Sequence, residues 1–144
     1  MSAKIIDGKK IASDLLDVVR KKILNNTSNG MRNPCLAVIL IGDNPASHVY
    51  VKNKKLACEK VGIYSEEHKL KAETSEEELL ELIDKLNNDK KINGILIQLP
   101  LPSHINESLI LNSVSSDKDV DGFHPINAGN LFEGKPSFIA CTPC

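Results

Sequence analysis

CLAVILIGDNPASHVYVKNKK, from Cys35 to Lys55, decides the fold. Its first seven residues, Cys35 to Ile41, are an unbroken apolar run, too short to cross a membrane and too continuous for a half-exposed edge strand. Gly42-Asp43 makes a turn, Asn44 suits an N-cap, and Pro45 suits the first helical position, where a missing N–H costs nothing. A buried strand feeding straight into a helix predicts an α/β unit. On that helix Ser47, Tyr50 and Lys54 fall at i, i+3 and i+7, so they share one face at the end where the strand emerges. Ligands of open α/β sheets sit beyond the carboxyl ends of the strands, which makes Lys54 a candidate for chemistry. The same spacing also fits a packed ring beside a snorkelling lysine stem.

The rest of the chain extends the pattern on both sides. Lys9 to about Ile23 reads as an amphipathic helix, with Ile11, Leu15, Val18, Val19 and Ile23 on one face. Residues 25–34 are polar and read as a surface connection. The Tyr50/Lys54 helix should stop near Gly62. Ile63 to Leu70 is a weaker strand candidate. Thr74-Ser-Glu-Glu77 reads as a capping box before a helix striped by Leu79, Leu82, Ile83 and Leu86. Ile92 to Gln98 is a second buried strand, Asn106 to about Val114 a short helix, and the chain from Ser115 onward reads as loop-rich. Alternating strands and helices predict an α/β fold, a three-layer α/β/α sandwich on a mostly parallel sheet.

Bulk properties exclude several functions. The 144 residues carry a net charge of −1, and 2 Tyr and 3 Phe with no Trp leave little on which to stack bases, so a nucleic-acid partner is not expected. No apolar run has the length of a membrane span, and only Ile5-Ile6 precedes the return of charge at the N-terminus, unlike a secretory signal. The cysteines Cys35, Cys58, Cys141 and Cys144 then read as reduced thiols, and the expected location is cytoplasmic.

Two more segments carry polar residues where a strand ends or a loop turns: GILIQLPLP (94–102) and KDVDGFHPINAGNL (118–131). With GDNPASHVYVKNK, the opening Ile6-Asp7-Gly8-Lys9 and the terminal Cys141-Thr142-Pro143, they resemble one family in order and spacing. That family is the bifunctional methylenetetrahydrofolate dehydrogenase/methenyltetrahydrofolate cyclohydrolases. The resemblance implies that residues 1–144 are the tetrahydrofolate-binding catalytic domain, with the amino-acid-dehydrogenase-like N-terminal fold. It implies oxidation of 5,10-methylenetetrahydrofolate by NADP and hydrolysis of the methenyl product to 10-formyltetrahydrofolate. Carried over by motif, Lys54, Gln98, Tyr50 and Asp121 are the catalytic residues, and Ser47, Tyr50, Leu99, Pro100 and Asp121 line the substrate site. Cys141 to Cys144 falls in the family's hinge into an NADP-binding Rossmann domain. That domain and a C-terminal return helix are expected to be absent from this chain, leaving it no cofactor-binding residues and no dehydrogenase activity alone. Relatives are expected to form homodimers, mainly through the absent domain.

The residues can support this chemistry on physical grounds. Hydrolysis needs a base to take a proton from the water that attacks a cationic amidinium carbon. A lysine at its ordinary value of about 10.4 could not act so at neutral pH, but partial burial and the substrate's own positive charge both favour a neutral amine. Lys54 is therefore the expected general base, and the Gln98 amide can hold it without adding charge. Tyr50 can offer its ring to the folate and its hydroxyl to the reacting centre. The two oxygens of Asp121 can accept from the N3–H and exocyclic amine of a reduced pterin. A capped strand end and a solvated loop acid are the plainer readings of Gln98 and Asp121.

Other signals point elsewhere. Asp117-x-Asp119-x-Asp121-Gly122 imitates a calcium loop, but its twelfth position is Ala128 and Pro125 interrupts it. Cys141-x-x-Cys144 imitates a zinc or redox pair without a second ligand pair. No metal is expected, and His124 reads as structural or exposed. Two alternatives stand beside the resemblance: a folate-binding fragment without turnover, and a shikimate-dehydrogenase-like domain, whose Asn-Val-Thr-x-Pro-x-Lys signature is absent.

Overall fold

The computed structural model describes residues 5–141, so Thr142, Pro143 and Cys144, with the hinge and the cysteine pair read there, lie outside the described residues. Eight elements follow in order: α1 (Gly8–Ser28), β1 (Cys35–Ile41), α2 (Pro45–Val61), β2 (Tyr64–Leu70), α3 (Glu76–Asn88), β3 (Gly94–Ile97), α4 (Glu107–Ser113) and α5 (Pro125–Phe132). The strands are parallel in the order β2-β1-β3, with Leu36 opposite both Ser65 and Gly94.

Strand β1 is central and buried from Ala37 onward because both of its faces are covered. Ala37, Ile39 and Ile41 join Ile95 and Ile97 against Leu79, Ile83 and Leu86 of α3 and Ile110 of α4. On the opposite face Val38, Leu40 and Leu96 meet Val51 of α2, and Leu36 and Val120 close that cluster. Helix α1 lies beside α2. The expected three-layer α/β arrangement is what forms. Strand β2 is one of the two edges, and its Glu66, Glu67 and Lys69 suit an edge, where charge discourages further pairing.

Helix α2 is bounded as its sequence dictates. The Asn44 side chain accepts from the Ala46 and Ser47 N–H groups, at 2.9 and 3.3 Å, and Pro45 follows at the first helical position. Gly62 ends the helix at φ +89°, its N–H donating to the Cys58 carbonyl at 3.0 Å.

Four boundaries differ from the sequence reading. Helix α1 runs on through Ser28, because the Thr27 and Ser28 hydroxyls donate back to the Leu24 carbonyl and Gly30, at φ +84°, makes the turn out. The capping box of α3 is built one residue later than expected, by Ser75 and Glu78. Thr74 is instead buried, its carbonyl 2.9 Å from His104 Nε2. Strand β3 is shorter than Ile92–Gln98, covering Gly94–Ile97. The stretch after Ser115 holds the helix α5, N-capped by His124, whose Nδ1 accepts from the Ile126 N–H at 3.1 Å. The apolar face of α1 is largely open, with Ile11 at 56% and Leu15 at 62% exposure. Among the described residues no helix is long and apolar enough to cross a membrane, and no cluster of His, Cys, Asp or Glu could hold a metal ion.

Candidate active site

Three segments converge at the carboxyl ends of β1 and β3. Helix α2 supplies Lys54, half-buried one turn beyond Tyr50, while Ser47 is buried beneath the same face. Gln98 follows β3, and its backbone N–H still donates to the Ile39 carbonyl at 2.9 Å, so the position of its side chain is set by the sheet register. Lys54 Nζ donates to Gln98 Oε1 at 3.1 Å. Gln98 Nε2 in turn donates to the Leu99 carbonyl at 2.9 Å. Only the NH₂ of an amide can face a carbonyl, so the oxygen is left to face the amine. Leu99–Pro100 is a cis peptide bond, with Leu99 half-buried and Pro100 exposed.

The third segment is the loop from Lys118 to Gly122, whose residues have separate tasks. Lys118 Nζ donates to the Leu86 and Asp89 carbonyls, both at 2.8 Å, capping the C-terminal end of α3. Its carbonyl accepts from the Ile95 N–H at 2.8 Å, which ties the loop to the edge of β3. Asp119 is buried, Val120 enters the core, and Gly122 turns the chain at φ +69°. A side chain at Gly122 would place its Cβ 2.7 Å from the Ala140 nitrogen, so only glycine fits there.

Asp121 is half-buried, within electrostatic reach of Lys54 and Asp119. Burial pushes its carboxyl above the ordinary aspartate value; the Lys54 charge opposes this and the Asp119 charge adds to it. No hydrogen bond joins its carboxylate to the other described residues, unlike Asp119, which has three donors on it.

Lys54, Gln98 and Asp121 are therefore brought together. Tyr50 is 62% exposed, and no hydrogen bond joins its hydroxyl to those three. Sequence reasoning missed the buried pair behind the loop, Asp119 and Asn127. In the sequence Asp119 stands out only as part of the calcium-like pattern, and Asn127 lies in the stretch that reads as loop-rich. The His-Pro step before it, an N-cap candidate ahead of a proline at the first helical position, was the available signal. A groove of about 450 Å³ lined by His48, Lys52, Lys55, Glu59, Glu67 and Lys69 lies on another face of α2 and contains none of the three.

A parallel α/β domain with a lysine–glutamine pair at its strand ends, and a free half-buried acid beside them, has the build of a catalytic domain. The profile of the family described as "Tetrahydrofolate dehydrogenase/cyclohydrolase, catalytic domain" matches residues 6–121. The chain belongs to that family. It is 54% identical over 143 residues to the bifunctional protein FolD of Moorella thermoacetica, covering 99% of this chain and 51% of that protein. The chain thus spans about half the length of the curated relatives it matches. Among solved structures, the bifunctional FolD dehydrogenase/cyclohydrolase of Campylobacter jejuni superposes with a TM-score of 0.92 at 50% identity, over 95% of this chain and 49% of that one. The Trypanosoma brucei enzyme, determined with NADP and an inhibitor, gives 0.91 at 30% identity, over 99% and 49%.

Proposed function

We propose that residues 1–144 form the tetrahydrofolate-binding catalytic domain of an enzyme that oxidises 5,10-methylenetetrahydrofolate and hydrolyses the methenyl product to 10-formyltetrahydrofolate. The observation that carries this reading is the Lys54 Nζ–Gln98 Oε1 bond at 3.1 Å, beside a half-buried Asp121 without a partner.

In the hydrolysis, water adds to the methenyl carbon and its proton passes to Lys54 Nζ. The bound cation repels an ammonium and favours the neutral amine, while Gln98 Oε1 keeps one N–H engaged and so directs the lone pair. As the C–N5 bond breaks, Lys54 returns the proton to N5, and the hydroxyl proton of the adduct leaves to solvent as the formyl carbonyl forms. Asp121 accepts from the pterin N3–H and amine, Tyr50 offers its ring, and Ser47, Leu99 and Pro100 shape the pocket between them. A bound NADP supplies the hydride acceptor for the oxidation. We assign its binding, and homodimerisation, to the half of the relatives that these residues do not match. A cytoplasmic location accords with the free thiols of Cys35, Cys58 and Cys141.

The test is Lys54→Met in the intact enzyme, following loss of the methenyl chromophore. The variant keeps the stem and should lose hydrolysis while folding normally. Near-normal hydrolysis would remove Lys54 from the mechanism.

A further inference from the structure

Asp119 is 6% exposed, and three donors meet its carboxylate. Its Oδ1 accepts from the Gly122 N–H at 3.1 Å; its Oδ2 accepts from the His124 N–H at 2.8 Å and from Asn127 Nδ2 at 2.9 Å. Asn127, 1% exposed, also donates to the Ser116 carbonyl at 3.0 Å and accepts from the Ser137 hydroxyl at 2.6 Å. The Gly122 N–H reaches the Asp119 carbonyl as well, at 3.4 Å, so residues 119–122 form one turn with Asp121 as its third residue.

Among the described residues Asp121 has no hydrogen bond of its own to hold it. Its place is set by the two backbone N–H groups downstream of it, at Gly122 and His124, and both end on Asp119. Upstream, the Lys118 carbonyl fixes the same turn to Ile95 of β3. We infer that Asp119, braced by Asn127, is the positioning residue for Asp121: it fixes the turn that presents the Asp121 carboxylate to the pterin and touches no substrate itself. The inference rests on the folate reading of Asp121 given above and deepens it.

The chemistry of the clamp requires an acid. Three N–H donors converge on one side chain, and only a group with acceptors alone can meet them all. Asparagine at position 119 would turn an NH₂ toward at least one of those donors, setting donor against donor where the acid accepts. The turn would then relax, and Asp121 would lose its aim while the Lys54–Gln98 bond, held by α2 and β3, stayed in place.

A double-mutant cycle on Asp119→Asn and Asp121→Asn separates positioning from general support. The affinity of the protein for 5-formyltetrahydrofolate is measured by calorimetry, and the KM and kcat of methenyl hydrolysis in the intact enzyme. Asp119→Asn should weaken binding about tenfold, the size of one lost charge-assisted hydrogen bond. In the Asp121→Asn background the same change should cost about twofold or less, since it acts only through Asp121. KM should rise with kcat nearly unchanged. Equal losses in both backgrounds, or a fall confined to kcat, would overturn the assignment. If Asp121→Asn alone left binding intact, the folate reading of Asp121 would fail and this inference with it; if Asp121→Asn weakened binding and Asp119→Asn did not, only this inference would fail. Should Asp119→Asn not fold, Ser137→Ala loosens the same brace from its exposed end and enters the same cycle. Its expected cost is about fivefold, as for one neutral hydrogen bond, again lost in the Asp121→Asn background.

Discussion

Asp121→Asn should move stability and affinity in opposite directions. The Asp121 carboxyl titrates above the ordinary aspartate range because burial penalises its charge; Lys54 relieves part of that penalty and Asp119 adds to it. A folded-state value above the unfolded one means that the native state favours the protonated form. The stability this contributes is fully present below the unfolded-state value and is lost as pH rises through the folded-state value. At neutral pH the charged group is therefore a net cost, which a neutral amide of the same shape removes. Urea melts at pH 7 should show Asp121→Asn slightly more stable than the native chain, with the difference vanishing below the ordinary aspartate range.

Folate binding should move the other way. The amide replaces one acceptor with a donor that faces the pterin's own donors. Losing a hydrogen bond to a charged group costs on the order of 1.5–3 kcal/mol, about ten- to a hundredfold in affinity. Calorimetry with 5-formyltetrahydrofolate measures it. Native affinity should also fall toward that of the variant as pH drops through the raised value of Asp121, at less acid pH than for an ordinary carboxylate. Unchanged affinity, or a variant that is less stable at neutral pH, would refute the reasoning: the first removes Asp121 from the site, the second makes it a structural acid.

Gln98→Ala frees the Lys54 amine from its 3.1 Å bond and should slow methenyl hydrolysis about a hundredfold, the usual scale for a misplaced group, with KM little changed; a rate within twofold of native would show that Lys54 positions itself. Gly94→Ala drives its new methyl into Val120 Cγ1 on the segment that carries Asp121, and should cost about 1–3 kcal/mol in urea denaturation; no loss would mean that Val120 has room to swing. Ser75→Ala should cost about 1 kcal/mol by removing the α3 cap, and a native melting curve would place the cap elsewhere.

The parts of the fold that could be read from sequence are those where several local signals agree. At α2 an apolar strand, an asparagine N-cap, a proline and a closing glycine coincide, and both ends of the helix fall where expected. Helix α5 has no such agreement. Asn127, Gly129 and Asn130 are poor helix formers, and the element is held by tertiary contact, through the buried Asn127 side chain and the His124 cap. The end of α1 was hidden differently. Asn25 to Ser28 looks like a loop in composition, and only Gly30 marked where the chain turns out of the helix.

The site divides along the same line. Lys54 and Gln98 stand on regular elements, a helix face and a strand end, where spacing alone fixes direction, and the structure joins them. Asp119 and Asp121 stand two residues apart in a turn, and in sequence they are two equal acids. What separates them is where the surrounding N–H groups point. Three donors, two from the backbone and one from Asn127, converge on Asp119. None reaches Asp121, which burial nevertheless keeps partly out of water. Buried polar groups are ordinarily satisfied within the fold, as Asp119 is, whereas the half-buried Asp121 carboxylate has no hydrogen bond to another described residue. That distinction depends on backbone placed by a helix the sequence conceals, and so it becomes visible only once α5 is in position.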